Sequence, residues 1–201
     1  EVSEENYAIV DTAIDLSGTE PVLYGTYNYS PTAAMSVICT IDLETAQTKD
    51  WKTVTGLGED VIYAIAFNEG GTLYAIGADG GADGGPASLY TIELGETQAT
   101  ATKVGEITDS SGDPISTNFA QDMAFDYASN TLYWAENKEN VVYTVDTKTA
   151  VATYFGQVKY NNYAYALQSF CIPYDTAYAN DSQYMISVIY TGGGKVTEKN
   201  S

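Results

Sequence analysis

The chain of 201 residues carries 27 acidic side chains against 8 lysines, for a formal net charge of −19, and contains no arginine and no histidine. A surface of that sign repels phosphate backbones and anionic headgroups, which argues against nucleic acid and acidic membranes as partners and favours cationic ligands such as Ca²⁺. Without histidine there is no Ser-His-Asp triad, no Cys-His pair and no His-ligated zinc, so carboxylates, tyrosines, lysines and two thiols are the chemistry left.

Apolar residues make up 44% of the chain, enough for a packed core. Cys39 and Cys171 sit in the apolar stretches SVICTI and QSFCIP and are expected as buried free thiols rather than a disulfide framework. No apolar run reaches the roughly 18 residues of a spanning helix, so no membrane insertion is expected. The chain opens at Glu1 rather than Met, which suggests a mature or excised piece whose signal peptide is already gone.

Taken in order, the chain reads as short β-strands separated by polar turns. The first stretch, Tyr7 to Gly56, opens a second strand at Leu23-Tyr24 and ends a third at Ile41-Asp42. From Val61 to Gly105 the pattern returns as VIYAIAFNEGGTLYAIG and then SLYTIELGETQATATKVG. It returns again from Gln121 to Gly156, with strands expected at Met123 to Phe125, Leu132 to Ala135, Val141 to Val145 and Ala150 to Phe155. Leu73-Tyr74 matches Leu132-Tyr133, and glycines at 56, 105 and 156 close the three copies, a period of about fifty residues. A fourth copy is incomplete: Ala166 to Asp175 reads as a first strand, with Phe170 in the place of Phe67 and Phe125, and Gln183 to Thr191 as a second. The remainder, 192–201, reads as a polar, glycine-rich tail.

A four-stranded meander is the unit a β-propeller repeats. The expected fold is therefore all-β and propeller-like. It would hold about three and a half four-stranded antiparallel blades, near 7–56, 61–105, 121–156 and 166–191, in one domain spanning 1–190. Either a closed four-bladed ring or a partial propeller satisfies the count. The run TLYWAE followed by VVYTVD resembles bacterial secreted β-propeller repeats of the YVTN or NHL kind. Leu132-Tyr133-Trp134 followed by Ala135-Glu136 is also similar to a YWTD repeat, with Ala and Glu where that motif has Thr and Asp. The resemblance covers roughly residues 7 to 190. It implies a fold whose members mostly bind proteins, peptides or glycans, with some enzymes among them.

Three kinds of chemistry stand out. Each third strand ends in an acidic turn, DLET from Asp42, ELGET from Glu93 and DTKT from Asp146, where a carboxylate can accept backbone N–H bonds two residues on. These acids are expected to make turns. Two insertions are candidates for a structural Ca²⁺ ion: Gly77 to Ser88, with Asp79 and Asp83 among glycines, and Glu106 to Ala120, with Asp109 and Asp113. Flexible solvated loops and Asp-capped turns are the alternative for the same residues. The cluster KYNNYAYAL presents Tyr160, Asn161, Asn162, Tyr163 and Tyr165 in a connection, where tyrosine and asparagine can stack on and hydrogen-bond a glycan or peptide; a loop folded over the core is the alternative for the same residues. The recurring tyrosines (24, 74, 133 and 90, 143) are expected between the sheets, Trp134 in the core and Trp51 partly exposed.

Paired inner-strand acids, Asp11 and Asp15 with Asp122 and Asp126, define a rival reading as a carboxylate-dependent glycoside hydrolase or lyase. The reading favoured on balance is a non-enzymatic binding or scaffold domain. It would be extracellular or at a bacterial cell surface, free of cofactors apart from the candidate Ca²⁺. Its partner would be a protein, peptide or glycan, and an open blade face would allow self-association.

Overall fold

The computed structural model of the chain describes residues 9–29, 35–79, 84–118, 121–165, 167 and 169–172. Among them every regular element is a β-strand, and none is a helix. Tyr7, the strand expected at Gln183 to Thr191 and the tail lie outside the described residues.

Twelve of the strands form three antiparallel meanders. The first is β1 (Asp11–Asp15), β2 (Val22–Tyr29), β3 (Met35–Ile41) and β4 (Thr48–Thr55). The second begins with β5 (Asp60–Phe67) and β6 (Leu73–Asp79); a short β7 (Gly85–Pro86) intervenes before β8 (Ser88–Leu94) and β9 (Ala99–Glu106). Another short strand, β10 (Ser116–Thr117), precedes the third meander of β11 (Asp122–Asp126), β12 (Thr131–Glu136), β13 (Val141–Val145) and β14 (Ala152–Gly156). A hairpin of β15 (Lys159–Tyr160) and β16 (Tyr163–Ala164) follows.

The first two meanders join where Val54 and Thr55 of β4 run parallel to Ala99 and Thr100 of β9. The result is one eight-stranded sheet of order β1-β2-β3-β4-β9-β8-β6-β5, nearly closed because β1 and β5 lie against each other. The Ile65 N–H donates to the Asp11 carboxylate at 2.7 Å across that seam. An analogous join reaches the third meander through Thr108, which bridges Val151 in parallel.

Register shows why the sequence repeats. Leu23, Leu73 and Leu132 stand opposite Ile14, Phe67 and Phe125 on one side and Ile41, Ile92 and Val145 on the other. Alternation puts the tyrosine after each leucine on the other face of its strand. Tyr24 thus meets Phe67 of the second meander at 5.1 Å between ring centroids, and Tyr74 meets Phe125 of the third at 5.3 Å. Tilted ring pairs of this kind add about 0.5–1.5 kcal/mol each beyond the area they bury. The packing cluster between the second and third meanders contains Ile76, Leu89, Phe125, Leu132 and Trp134. Trp134 is fully buried, and its indole N–H donates to the Gln121 side-chain carbonyl at 2.5 Å. Trp51 is half-buried, edge-on to Tyr27.

The turns follow the acidic pattern in two copies of three. Asp42 accepts from the N–H groups of Glu44 and Thr45 and from the Thr45 hydroxyl; Asp146 accepts from the N–H groups of Lys148 and Thr149. These bonds favour the ionised form and hold both carboxyls below their usual range. The following alanines, Ala46 and Ala150, take positive φ of 57° and 58°. In the second copy the turn closes instead through the Gly95 N–H to the Gln98 carbonyl at 3.0 Å.

Three expectations need correction. Gly77 to Ser88 is not one loop: Gly77 to Asp79 finish β6, and Gly85–Pro86 pairs with Ser116–Thr117, so the two insertions meet. Extra β6–β8 residues can pair there because Ala87, Ile107 and Ile115, all buried, exchange backbone hydrogen bonds. Cys39 is a buried free thiol as expected, but Cys171 is free and exposed, beside Phe170, whose N–H donates to Asp122 of β11. Phe170 does not take the place of Phe67: its N–H donates to Asp122 as the Ile65 N–H donates to Asp11, which aligns Phe170 with Ile65.

Candidate functional site

Among the described residues every exposed aromatic ring falls between Tyr154 and Tyr165. β14 reads Ala-Thr-Tyr-Phe-Gly and is the outer strand of the third meander. Its first residue is covered: Ala152 is buried and its N–H donates to the Thr108 carbonyl at 2.7 Å. Beyond that bond Tyr154 and Phe155 stand out into solvent. A bulge between Val142 and Tyr143 leaves Phe155 as the unpaired residue of β14, and its ring meets Tyr133 edge-on at 5.2 Å.

The hairpin begins three residues later. Asn161 and Asn162 both adopt positive φ, 50° and 68°, the combination a two-residue type I′ turn requires and asparagine tolerates. The turn sets Tyr160 directly opposite Tyr163, at 69% and 71% exposure. The Tyr165 N–H donates to the Val158 carbonyl at 2.9 Å, and Tyr165 too is exposed. The five sequence-nominated residues Tyr160, Asn161, Asn162, Tyr163 and Tyr165 therefore occupy one small element. Tyr154 and Phe155 stand outside that cluster, and what marks them in the sequence is their mismatch with the second copy, where Lys103 and Val104 hold the same ladder positions.

The four acids nominated for Ca²⁺ are placed as follows. The Asp109 carboxylate accepts from the Ser111 and Asp113 N–H groups at 2.7 and 3.0 Å, closing its own loop. Asp79 ends β6, and its carbonyl accepts from the Tyr63 hydroxyl at 3.1 Å. Asp113 is exposed, and Asp83 lies outside the described residues. The β7–β10 pair brings the two loops side by side, yet among the described residues no three potential ligand side chains converge on a metal position.

The inner-strand acids divide into two kinds. Asp15 and Asp126 end their strands and accept from turn residues just ahead, Ser17 and Ala128 with Ser129, as the amide Asn68, just after β5, accepts from Thr72. Asp11 and Asp122 hold equivalent positions at the start of β1 and β11, with Ala64 at the matching place in β5. Asp122 is buried and accepts from the Met123 N–H at 2.7 Å and the Phe170 N–H at 2.6 Å. Asp11 keeps some exposed backbone and side-chain surface, but its carboxyl group lies deep against β5. Burial pushes Asp122 up to about 6 despite those hydrogen bonds. Burial and then the charge of Asp122 hold Asp11 well above the usual carboxylate range.

An open polar cleft of about 590 Å³ lies at the turn end of the third meander, lined among others by Asn130, Thr131, Thr144, Thr153 and Lys148. It is on the face whose counterparts, at Tyr24 and Tyr74, are covered by the next meander.

Comparison with known proteins finds no family model that matches the chain and no matching curated relative.

Proposed function

We propose that the chain is an extracellular or cell-surface binding domain built from propeller-type blades, and that it captures a protein, peptide or glycan on the aromatic edge formed by β14 and the β15–β16 hairpin. The observation that carries this reading is the confinement of all exposed aromatic rings, among the described residues, to Tyr154 through Tyr165. Isolated exposed hydrophobics need no explanation, whereas five exposed rings within twelve residues of chain do. Tyrosine and phenylalanine offer large contact area at small entropic cost, and the Asn161-Asn162 turn adds amide donors and acceptors beside them. The blade reading is supported by the Tyr24–Phe67 and Tyr74–Phe125 stacks, which pass the same contact from one meander to the next.

The test is a glycan array and a peptide library probed with the wild-type protein and with a Tyr154→Ala/Tyr160→Ala/Tyr163→Ala variant. A ligand bound by the first and lost by the second supports the reading. A ligand bound equally by both sinks it.

Asp11 and Asp122 support a second reading, a carboxylate-dependent glycoside hydrolase or lyase, because two inner-strand acids have raised proton affinity and, after burial, the charge of Asp122 helps raise Asp11. Turnover of a polysaccharide panel that disappears in Asp122→Asn while binding persists would favour it. No turnover by the wild-type protein would remove it.

A further inference from the structure

β14 is the outer strand of its sheet, and its outer side is taken at the start and open beyond it. Thr108 runs parallel to that start, giving its N–H to the Ala150 carbonyl at 3.3 Å and accepting the Ala152 N–H at 2.7 Å. The chain then turns away into a loop closed by the Asp109 N–H on the Asp113 carbonyl at 2.9 Å. Alternate residues of an antiparallel strand send their backbone groups to opposite sides. Tyr154, two residues past Ala152, therefore points its N–H and carbonyl outward as Ala152 does. Among the described residues no backbone group meets Tyr154 on that side.

Open strand edges attract other strands, and folded chains blunt them with charge, lysine above all. β4 and β9 follow that rule. Their mutual pairing spans Val54-Thr55 and Ala99-Thr100, and the lengths beyond it carry Lys49 and Lys52 in β4 and Lys103 in β9. Lys103 holds the ladder position of Tyr154. The open length of β14, residues 153–156, has no charged side chain and offers Tyr154 at 61% and Phe155 at 54% exposure. An edge paired at its start, unguarded beyond and faced with rings is suited to take one more strand.

The surrounding charge selects which strand. Asp109 follows directly on the residue that seals the start of the edge. Glu139 lies at the far end, where the Gln157 amide donates to the Glu139 carbonyl at 3.2 Å. Tyr143 stands opposite Tyr154, and after burial the charges of Glu136, Glu139 and Asp109 push its hydroxyl up, in keeping with acids at both ends. Lys138 and Lys159, in the adjoining turn and hairpin, are outnumbered by these acids. The net charge of −19 also opposes an acidic segment, including one from a second copy of the chain.

We infer that β14 is an edge for strand addition: an extended, lysine- or arginine-rich segment of a partner protein lies along residues 153–156, its backbone bonded to Tyr154 and its cations on the Tyr154 ring and toward Asp109 and Glu139. This rests on the aromatic-edge reading above and narrows it from protein, peptide or glycan to a peptide in strand form. Main-chain bonds supply affinity in such a mode, and alternate side chains supply selectivity. A cation over a tyrosine face is attracted by the ring's negative face.

The probe is a blocked, fluorescently labelled peptide of alternating lysine and valine. It is compared with the same peptide N-methylated at two adjacent central residues, which blocks both strand edges, and with its glutamate–valine counterpart. Tyr154→Lys gives β14 the lysine that β9 carries. Anisotropy measures binding to the full chain, and amide NMR locates it. The lysine–valine peptide is expected to bind, to shift the Tyr154 amide and to protect it from exchange. Binding should fall at least tenfold with the methylated peptide, with the glutamate peptide and in Tyr154→Lys. Equal binding of the methylated or the glutamate peptide, no binding of the lysine–valine peptide, or shifts confined to residues away from β14 would overturn the inference. Should Tyr154→Lys fail to fold, the methylated peptide decides. A glycan captured through Tyr160 and Tyr163 while the lysine–valine peptide fails would remove strand addition and leave the aromatic-edge reading standing.

Discussion

β9 and β14 are the fourth strands of adjacent meanders and follow the same ladder, yet they face solvent differently. Ala101 and Ala152 stand opposite Ile92 and Val145, Lys103 and Tyr154 opposite Tyr90 and Tyr143, and a bulge falls at the same place in both. Both are met at their start by the segment that leaves the preceding meander, Val54-Thr55 in one case and Thr108 in the other. The bulged residue of β9, Val104, packs against the core between the meanders. The bulged residue of β14, Phe155, is exposed, and Tyr154 beside it is exposed as well. The backbone requirement is therefore satisfied without aromatic rings. What differs at β14 is surface chemistry, and that difference separates scaffold from site.

The largest effect is expected from breaking the scaffold at the place where the third meander carries most volume. Trp134 corresponds to Ala75 in the second meander, and both are fully buried. Trp134→Ala empties the tryptophan's cavity and leaves the Gln121 carbonyl without its donor, and should cost about 3–5 kcal/mol, read from denaturant unfolding. A loss below about 1 kcal/mol would show that the site collapses as Ala75 already does.

Next in size is ligand binding. Exchanging the edge chemistry by Tyr154→Lys and Phe155→Val makes β14 resemble β9, and should weaken binding at least tenfold while shifting stability by less than about 0.5 kcal/mol, as exposed positions usually do. Calorimetric titration with the ligand found on the arrays measures the first, thermal melts the second.

A smaller effect separates the turn carboxylates from the inner pair. Asp42 and Asp146 have lowered proton affinity, so the stability they provide is present above the ordinary carboxylate range and fades as pH falls through their folded values. That is opposite in sign to Asp11 and Asp122. Asp42→Ala should flatten the acid limb of the pH–stability curve below about pH 4 and leave the pH 5–8 limb unchanged.

The smallest effect is expected at Ala46, exposed at positive φ in the DLETA turn. Ala46→Gly removes the left-handed strain and should stabilise by up to about 1 kcal/mol, less whatever the unfolded chain gains in freedom. Chelator added to the protein should leave the melting temperature unchanged, because one Asp109 oxygen is already committed to backbone N–H groups. A drop would place a structural ion between the paired insertions.

How far the sequence reveals this arrangement depends on which force sets each feature. The three meanders are legible because each Leu-Tyr pair sends leucine to one packed face and tyrosine to the other, a pattern that repeats at Leu23, Leu73 and Leu132, with Tyr24 and Tyr74 meeting the next meander and Tyr133 meeting Phe155 of its own. The acidic turns are legible because Asp42 and Asp146 satisfy backbone donors only two and three residues ahead. The closing glycines are less uniform than they read. Gly56 has φ of +88°, and a Cβ there would collide with the Ala101 carbonyl, whereas Gly156 has open space around it. The tie between Asp122 and Phe170, 48 residues apart, depends on how inner segments stack, which no local pattern encodes. The hairpin was visible as a tyrosine and asparagine cluster, but its I′ turn and the exposure of Tyr154 emerge only from the assembled ladder.

The most direct test of a scaffold carrying one aromatic binding edge is to compare ligand capture by the wild-type protein with capture by the Tyr154→Ala/Tyr160→Ala/Tyr163→Ala variant at equal, verified folded fraction. Capture that falls at least tenfold with an unchanged melting curve is the expected result. Capture that persists at full strength in a folded variant would contradict the assignment and return the search to the inner acids and the cleft beside Thr144.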